Sequence, residues 1–234
     1  MDFNNHTIII TGAAGNLGQA VAKAFAERGA NLVLLARRRE QLEKVFGAES
    51  PQRLFATADL LDQDQVNAAV QKAIDQFGRI DVLCNAAGGF RMGPSVHETP
   101  DQDWDFLFDI NTRSMLHAVR AVVPRMIEGG GGKIINVGAN AAQKGVAQMG
   151  TYCAAKAAVA RLTEAMAAEL REHSINVNCV LPSIIDTPEN RAAMPAADPS
   201  RWVAPDALAD AILFLASNGA RAIHGASLPV IGLS

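Results

Sequence analysis

The amino-acid sequence predicts a single α/β domain built on a doubly wound parallel sheet of about seven strands, with helices on both faces. Three observations lead to this fold class. Short apolar runs with strand character alternate with longer helix-like runs along the 234 residues, which is the order that parallel sheets with crossover helices require. A glycine-rich turn joins the first strand to the first helix. No repeat, low-complexity tract or linker divides the chain, so we expect one domain over residues 1–234.

Seven short, mainly apolar runs have the length and composition of buried strands. They span residues 6–10, 31–36, 53–58, 82–84, 133–137, 175–181 and 223–230. Pro182 is expected to stop the sixth of these strands.

The intervening runs carry the apolar spacing and the terminal residues of α-helices. Helices are expected at residues 19–28, through Leu42 and Phe46, and at 62–77, 103–126, 152–171 and 205–217. Gly78 is expected to end the third helix, and Pro205 lies in the first turn of the last one.

The composition excludes several classes of function. With a net charge of −3 and a single short basic cluster, the chain is not expected to bind nucleic acid. No apolar stretch is long enough to span a bilayer and the N-terminus lacks signal-peptide features, so no membrane association and a cytoplasmic location are expected. Cys84, Cys153 and Cys179 have no zinc-like spacing. They are predicted to be buried free thiols, and no metal site is expected.

The turn over residues 11–18 reads Thr-Gly-Ala-Ala-Gly-Asn-Leu-Gly. Its three glycines, Gly12, Gly15 and Gly18, let the backbone bend tightly and approach a pyrophosphate closely. The positive end of the following helix, beside Asn16 and Leu17, suits the charge of that group. Strand, glycine turn and helix together predict a dinucleotide site, although three glycines also occur in plain tight turns.

The residues after the second strand bear on which dinucleotide binds. An acidic residue at this place holds the ribose hydroxyls of NAD, whereas this chain has Ala36 followed by Arg37, Arg38 and Arg39. A guanidinium can pair with the 2′-phosphate of NADP. The sequence therefore favours NADP(H) over NAD(H), with contact from Arg37. The alternative is a solvated start to the second helix.

Small or polar residues follow several predicted strand ends. They are Asp59, Asn85, Gly138 and Pro182. Because ligands of open α/β sheets bind beyond the carboxyl ends of the strands, these residues are expected to meet at one crevice. The segment 183–203, rich in Pro, Ala and Met, is predicted to form a short helical lid over a substrate.

Tyr152 is the only tyrosine in the chain, and it precedes Lys156 by four residues in a helix-like run. At this spacing the two side chains share one helix face. A nearby lysine cation stabilises a phenolate and is expected to lower the pKa of Tyr152, which would let the pair exchange a proton with a substrate. A chance pair on a helix surface is the alternative that the remaining motifs must exclude.

Taken together, these motifs resemble the short-chain dehydrogenase/reductase family over nearly the whole chain. The motifs are the glycine turn at residues 11–18, Asp59-Leu60, Asn85-Ala86-Ala87-Gly88, Asn111, Tyr152-x-x-x-Lys156 and Thr187. The resemblance implies a Rossmann fold and an NAD(P)(H)-dependent oxidoreductase that transfers hydride to or from a small carbonyl, alcohol or conjugated substrate.

The resemblance also assigns roles to individual residues. Asp59 and Leu60 would contact the adenine, and the segment from Asn85 through Ala86 and Ala87 would support the cofactor. Tyr152 would be the acid/base, and Lys156 would bind the nicotinamide ribose. Asn111 would hold a water of the proton relay, and Thr187, with Ile185 nearby, would contact the carboxamide. Family members pair the helices at 103–126 and 152–171 between subunits, so a homodimer or homotetramer is expected.

The sequence departs from the family pattern thirteen residues before Tyr152. Family members usually carry a serine there that orients the substrate carbonyl, and this chain has Ala139. Asn140 and Gln143 are the nearest polar candidates to replace it, and Met149 is expected to line the same substrate pocket.

Two alternatives follow from this departure. Dihydropteridine reductases of the same family share the glycine spacing, the alanine and a similar lid, so reduction of a quinonoid pterin is one alternative. A cofactor-binding protein with little catalysis is the other, because a methyl group cannot donate a hydrogen bond to a carbonyl.

Overall fold

A computed structural model describes every residue from Met1 to Ser234 and confirms the predicted fold class. Seven parallel strands form one sheet. They are β1 Thr7–Thr11, β2 Asn31–Ala36, β3 Arg53–Thr57, β4 Val82–Asn85, β5 Gly132–Val137, β6 Ile175–Pro182 and β7 Ser227–Val230. Their order across the sheet is β3-β2-β1-β4-β5-β6-β7.

Eight α-helices connect or flank the strands. They are α1 Asn16–Ala26, α2 Arg39–Phe46, α3 Gln63–Phe77, α4 Asp101–Phe108, α5 Ser114–Glu128, α6 Gly150–Leu170, α7 Pro188–Ala193 and α8 Pro205–Ala216. One apolar layer joins α1, α2 and α8 to the sheet, and the other joins α3, α5 and α6 to its opposite face. The layers contain 26 and 25 buried residues. Because both faces are covered, the central strands are apolar on both sides.

The direction of winding reverses at β1. The chain adds β2 and β3 on one side of β1 and then returns to place β4 on the other side. A doubly wound sheet opens a crevice at such a reversal, beyond the carboxyl ends of the two strands. The Ala87 N–H donates to Thr11 Oγ1 at 3.2 Å and joins the two ends. The glycine turn and the segment after β4 therefore form adjacent walls of one crevice.

The predicted helix over 103–126 is interrupted in the structure. It consists of α4 and α5 joined by a π-helical turn over Asp109–Arg113. Such a turn is rare and is frequently found at functional sites. Asn111 lies inside this π turn, and its side chain is buried.

The other differences concern element ends. Helix α1 begins at Asn16, so Gly18 belongs to the helix rather than to a preceding turn. Pro182 is the last residue of β6 rather than the residue that follows it. The last strand is shorter than residues 223–230, because the backbone turns at Gly225, where φ is 71°. The side chain of Asn178 holds this turn by donating to the Ile223 carbonyl at 2.9 Å.

The three cysteines are buried free thiols, as predicted. No helix is both long enough and apolar enough to cross a membrane.

Candidate active site

The glycine turn brings the end of β1 and the start of α1 to one wall of the crevice. A methyl group on Gly12, where φ is 64°, would lie 2.8 Å from the Ala87 backbone. A methyl group on Gly18 would lie 2.3 Å from the Gly12 carbonyl oxygen. The glycines at these two positions are therefore required by close backbone packing. Gly15 is exposed, and its added methyl would meet only the Gly12 oxygen at 3.3 Å, so the backbone is approachable there.

The first turn of α1 offers backbone donors to this crevice. The first helical hydrogen bond runs from the Gln19 N–H to the Gly15 carbonyl at 2.9 Å. The N–H groups of Asn16, Leu17 and Gly18 precede it and have no carbonyl partner in the helix. The positive end of the helix and its free N–H groups fit an anionic phosphate.

The three arginines after β2 are not equivalent. Arg39 is engaged by two carboxylates, with Nε 2.7 Å from Glu43 and Nη2 2.7 Å from Glu49. These contacts raise the pKa of Arg39, mainly through the hydrogen bond to Glu49. Arg37 and Arg38 are exposed and form no ion pair. Only these two are free to bind a phosphate beside the end of β2.

The segment after β3 is fixed by contacts that the sequence does not reveal. Asp59 Oδ1 accepts from the Leu61 N–H at 3.0 Å, which forms a local turn. The imidazole of His117 on α5 donates from Nδ1 to the Leu60 carbonyl at 2.9 Å. His117 is 9% exposed. The sequence carries no local pattern that identifies His117 as a contact of this segment, because the two partners are 57 positions apart in the chain.

A buried chain of hydrogen bonds supports the ends of β4 and β5. Asn85 Nδ2 donates to Asn136 Oδ1 at 2.9 Å, and Asn136 Nδ2 donates to Thr163 Oγ1 of α6 at 2.8 Å. All three residues are at most 4% exposed. In this structure the Asn85 side chain therefore contacts the neighbouring strand β5.

Asn111 holds the loop that follows β4. Its Oδ1 accepts from the Gly89 N–H at 3.1 Å, and its Nδ2 donates to the Gly89 carbonyl at 2.9 Å and to the Leu107 carbonyl at 2.9 Å. A methyl group on Gly88 would lie 3.0 Å from Asn111 Oδ1 and 3.1 Å from Lys156 Nζ. The structure thus brings Asn111 and Lys156 together around the backbone of Gly88.

Tyr152 and Lys156 occupy successive turns of α6 at the same crevice. The Tyr152 ring packs edge-on against Phe90, with 5.0 Å between ring centroids and an interplanar angle of 89°. Lys156 is 5% exposed, and its Nζ donates to the Val137 carbonyl at 2.7 Å. Thr112, within the π turn, donates from Oγ1 to the Ala155 carbonyl at 3.0 Å and joins this helix to the Asn111 segment.

Burial shifts the two pKa values in opposite directions. The loss of solvation raises the pKa of Tyr152 to about 12, with a smaller contribution from Cys153. It also lowers the pKa of Lys156 to about 8, against a smaller raising effect of Cys179. The predicted lowering of the Tyr152 pKa by Lys156 is therefore wrong for the protein alone. Desolvation dominates because the phenol is packed beside Phe90, and the Lys156 Nζ is directed at the Val137 carbonyl.

The loop before α6 carries the predicted substrate residues. Ala139 is 5% exposed and precedes a short 3₁₀ helix over Asn140–Gln143. Within that helix Gln143 Nε2 donates to Asn140 Oδ1 at 2.5 Å. This contact leaves the Asn140 amide N–H groups available as donors. Met149 lies directly before α6, as its N-cap residue, and is half-buried.

The segment 183–203, which is predicted to form a lid, contains α7. A backbone hydrogen bond joins its two ends. The Asp186 N–H donates to the Val203 carbonyl at 2.8 Å. Thr187 caps α7, because its Oγ1 accepts from the Asn190 N–H at 3.2 Å. The Ile185 carbonyl accepts from Asn190 Nδ2 at 2.8 Å. The Thr187 hydroxyl also hydrogen-bonds the Glu189 carboxylate and helps to lower its pKa.

These features together suit a dinucleotide more than any metal. No group of three or more His, Cys, Asp or Glu side chains is arranged to hold a metal ion. The crevice instead combines a helix N-terminus, closely packed glycines and two free arginines with a tyrosine–lysine pair. The fold and the crevice have the features of a dinucleotide-binding site.

Comparisons with known proteins agree. The family model described as short chain dehydrogenase matches residues 6–197. A D-threitol dehydrogenase from Mycolicibacterium smegmatis is 34% identical over 236 residues, covering 96% of this chain and 90% of the relative. A solved gluconate 5-dehydrogenase from Burkholderia cenocepacia, in complex with NADP and tartrate, has a TM-score of 0.89 and 30% identity, covering 99% of this chain and 95% of the other. A short-chain type dehydrogenase/reductase from Mycobacterium ulcerans reaches a TM-score of 0.92 at 24% identity, covering 100% and 90%, and supports the fold.

This chain belongs to the short-chain dehydrogenase family. It is an oxidoreductase, so the alternative of a cofactor-binding protein with little catalysis is set aside.

The low pKa of Lys156 predicts a pH dependence of stability. In the unfolded chain a lysine has a pKa of about 10.4, whereas Lys156 in the folded protein has a pKa of about 8. Between these values the unfolded state binds more protons, so the free energy of unfolding should rise with pH. We expect a rise of about 1–2 kcal/mol between about pH 8 and about pH 9.5 from this residue.

Denaturant unfolding of the wild type and of Lys156→Met across this range measures the effect. The difference in the free energy of unfolding between the wild type and the variant should rise by this amount across the range. The raised pKa values of Cys84, Cys179 and Tyr152 act in the opposite direction, but these groups are present in both proteins, so the difference isolates Lys156. Parallel curves for the two proteins would contradict the assignment.

Proposed function

We propose that this protein is an NADP(H)-dependent oxidoreductase that interconverts a small carbonyl compound and its secondary alcohol, with Tyr152 as the acid/base. The observation that carries the proposal is the convergence of Tyr152, Lys156 and Asn111 on the loop after β4, beside the glycine turn. Tyr152 and Lys156 come from α6, and Asn111 comes from the π turn between α4 and α5. Their meeting in one crevice is not explained by packing alone, since Lys156 is a buried cation without a carboxylate partner.

The residues that would hold the cofactor are distributed along the crevice. The glycine turn and the α1 N-terminus would bind the diphosphate, Arg37 the 2′-phosphate, and Asp59 and Leu60 the adenine. Asn85, Ala86 and Ala87 would form the wall beneath the nicotinamide half, with Ile185 and Thr187 opposite. When bound, the nicotinamide supplies the hydride chemistry. The complex of the gluconate 5-dehydrogenase with NADP supports this choice of cofactor.

Tyr152 is suited to give a proton. Because its pKa is about 12 in the protein, it is a neutral phenol at physiological pH. A substrate oxygen that gains negative charge as a carbonyl is reduced is more basic than phenolate and takes the proton from Tyr152. Lys156, largely protonated below its pKa of about 8, stabilises the phenolate that remains. Asn111 keeps the Gly89 backbone in place and would position the water that returns the proton.

The substrate must be oriented without the usual serine, because Ala139 supplies only a methyl group. We propose Asn140 as the donor to the substrate oxygen, with its amide held in one orientation by Gln143. Met149 would contact the rest of the substrate. Relatives named for D-threitol and gluconate oxidoreduction favour a small polyhydroxylated substrate.

A quinonoid pterin is the second candidate substrate. The buried methyl of Ala139 favours it, since a pterin is reduced at ring nitrogens and needs no donor to a carbonyl. A panel of polyols, sugar acids, ketones and a quinonoid pterin, scored by cofactor absorbance, separates the two.

We propose a homodimer or homotetramer and a cytoplasmic location. Support for assembly comes from α4, where the large apolar side chains of Trp104 and Phe106 are 48% and 38% exposed. Sedimentation at micromolar concentration tests the assembly, and a monomer would overturn it.

Replacement of Tyr152 by phenylalanine tests the acid/base. We expect kcat on the best substrate of the panel to fall by roughly a hundred- to ten-thousand-fold, because no other side chain at this position can donate the proton. NADPH should still bind, since the phenylalanine ring keeps the contact with Phe90. Fluorescence titration of NADPH with the variant is the control, and unchanged turnover would refute the role of Tyr152.

The arginine cluster provides a matched test of cofactor choice. Arg37→Ala should raise the KM for NADPH by roughly tenfold or more, because a charge-assisted contact to the 2′-phosphate is lost, and leave the KM for NADH unchanged. Arg39→Ala is the control, since Glu43 and Glu49 already hold that guanidinium. Equal effects of the two substitutions on NADPH would contradict the assignment to Arg37.

A further inference from the structure

One hydrogen bond crosses the candidate cofactor crevice from the glycine turn to the lid. Asn16 Nδ2, in the first turn of α1, donates to Glu189 Oε2, in the first turn of α7, at 2.8 Å. The two residues are 173 positions apart in the chain. The lid thus places a carboxylate against the end of α1, where free backbone N–H groups meet the crevice.

Glu189 differs from the other charged residues of the lid in how it is engaged. Asp186 and Arg191 pair with each other at 2.6 Å, Asp198 accepts from the Ser200 N–H, and Arg201 donates to the Leu233 carbonyl. Glu189 forms no ion pair, and its side-chain partner in α1 is a neutral amide. The pKa of Glu189 is lowered, first by its own backbone N–H and then by Asn16 and Thr187, so the side chain is ionised at neutral pH.

The position of this charge has a consequence for cofactor affinity. The N-terminus of a helix attracts any anion within about one turn. A carboxylate held by the Asn16 side chain and a cofactor diphosphate held by the backbone N–H groups of the same helical turn would repel each other, and the Nδ2 hydrogen that Glu189 accepts cannot be donated to both. Binding of the dinucleotide must therefore displace Glu189 from Asn16 or tolerate its charge.

We propose that Glu189 is an internal competitor of the cofactor diphosphate and that its negative charge sets the affinity of this protein for NADP(H). The proposal rests on the proposed function, because it takes the end of α1 as the phosphate site. It assigns to a lid residue, outside the glycine turn, a role in cofactor affinity and release.

The substitution Glu189→Gln removes the charge and keeps the size and the ability to accept from Asn16. We expect the dissociation constant for NADPH to fall by about two- to fivefold at low ionic strength. The difference from the wild type should shrink as salt is added, because the interaction is between partly exposed charges. Fluorescence titration or calorimetry at two salt concentrations measures both effects.

Glu172→Gln is the matched control. Glu172 is exposed and lies just before β6, at the amino ends of the strands, whereas the crevice lies at their carboxyl ends. Removing its charge changes the net charge by the same amount without acting on α1. Unchanged or weaker NADPH binding by Glu189→Gln would overturn the proposal, as would an equal gain in the control. If no dinucleotide binds to any of the three proteins, the proposed function fails instead.

Discussion

The crevice depends on the close approach of two side chains, those of Asn111 and Lys156, to Gly88. Asn111 and Lys156 lie so near its backbone that even a methyl group would be 3.0 Å from one and 3.1 Å from the other. This approach fixes the π turn of the long helix against α6, where Thr112 adds a further bond. The tyrosine that precedes Lys156 by one turn is held in place as a result. The close packing around the Gly88 backbone therefore also sets the position of the candidate acid, Tyr152.

The sheet supports this arrangement from beneath. Its two apolar layers give the strands a rigid frame. Where the strands end, the Asn85–Asn136–Thr163 chain satisfies Asn85 Nδ2 and both polar atoms of the Asn136 amide, while Asn85 Oδ1 is buried without a partner. Polar side chains buried at strand ends cost stability unless they are hydrogen-bonded. The hydrogen bonds of this network therefore allow polar residues at the strand ends beside the crevice while the apolar core stays closed to water.

Electrostatics in the crevice are dominated by burial rather than by ion pairs. The Lys156 cation lacks a carboxylate partner, Arg37 and Arg38 face solvent unpaired, and the α1 N-terminus is met only by Glu189. Positive potential is thus left along the path that an anionic dinucleotide would take. Arg39 shows the contrast, since two glutamates neutralise it and tie α2 to the segment before β3.

The sequence by itself determined the sheet, the order of its elements and the identity of the chemical groups. The apolar runs of the strands, the glycine turn and the Tyr152–Lys156 spacing are local sequence patterns. Such patterns predict the folded structure correctly when burial and intrinsic propensity favour the same element. Only the tertiary structure decided how these groups behave. Burial decides the direction in which the Tyr152 pKa shifts. Residues distant in the chain form the hydrogen bonds between Asn111 and Gly89, between His117 and Leu60, and between Asn16 and Glu189. Desolvation and long-range contacts are properties of packing, and no spacing along one segment encodes them.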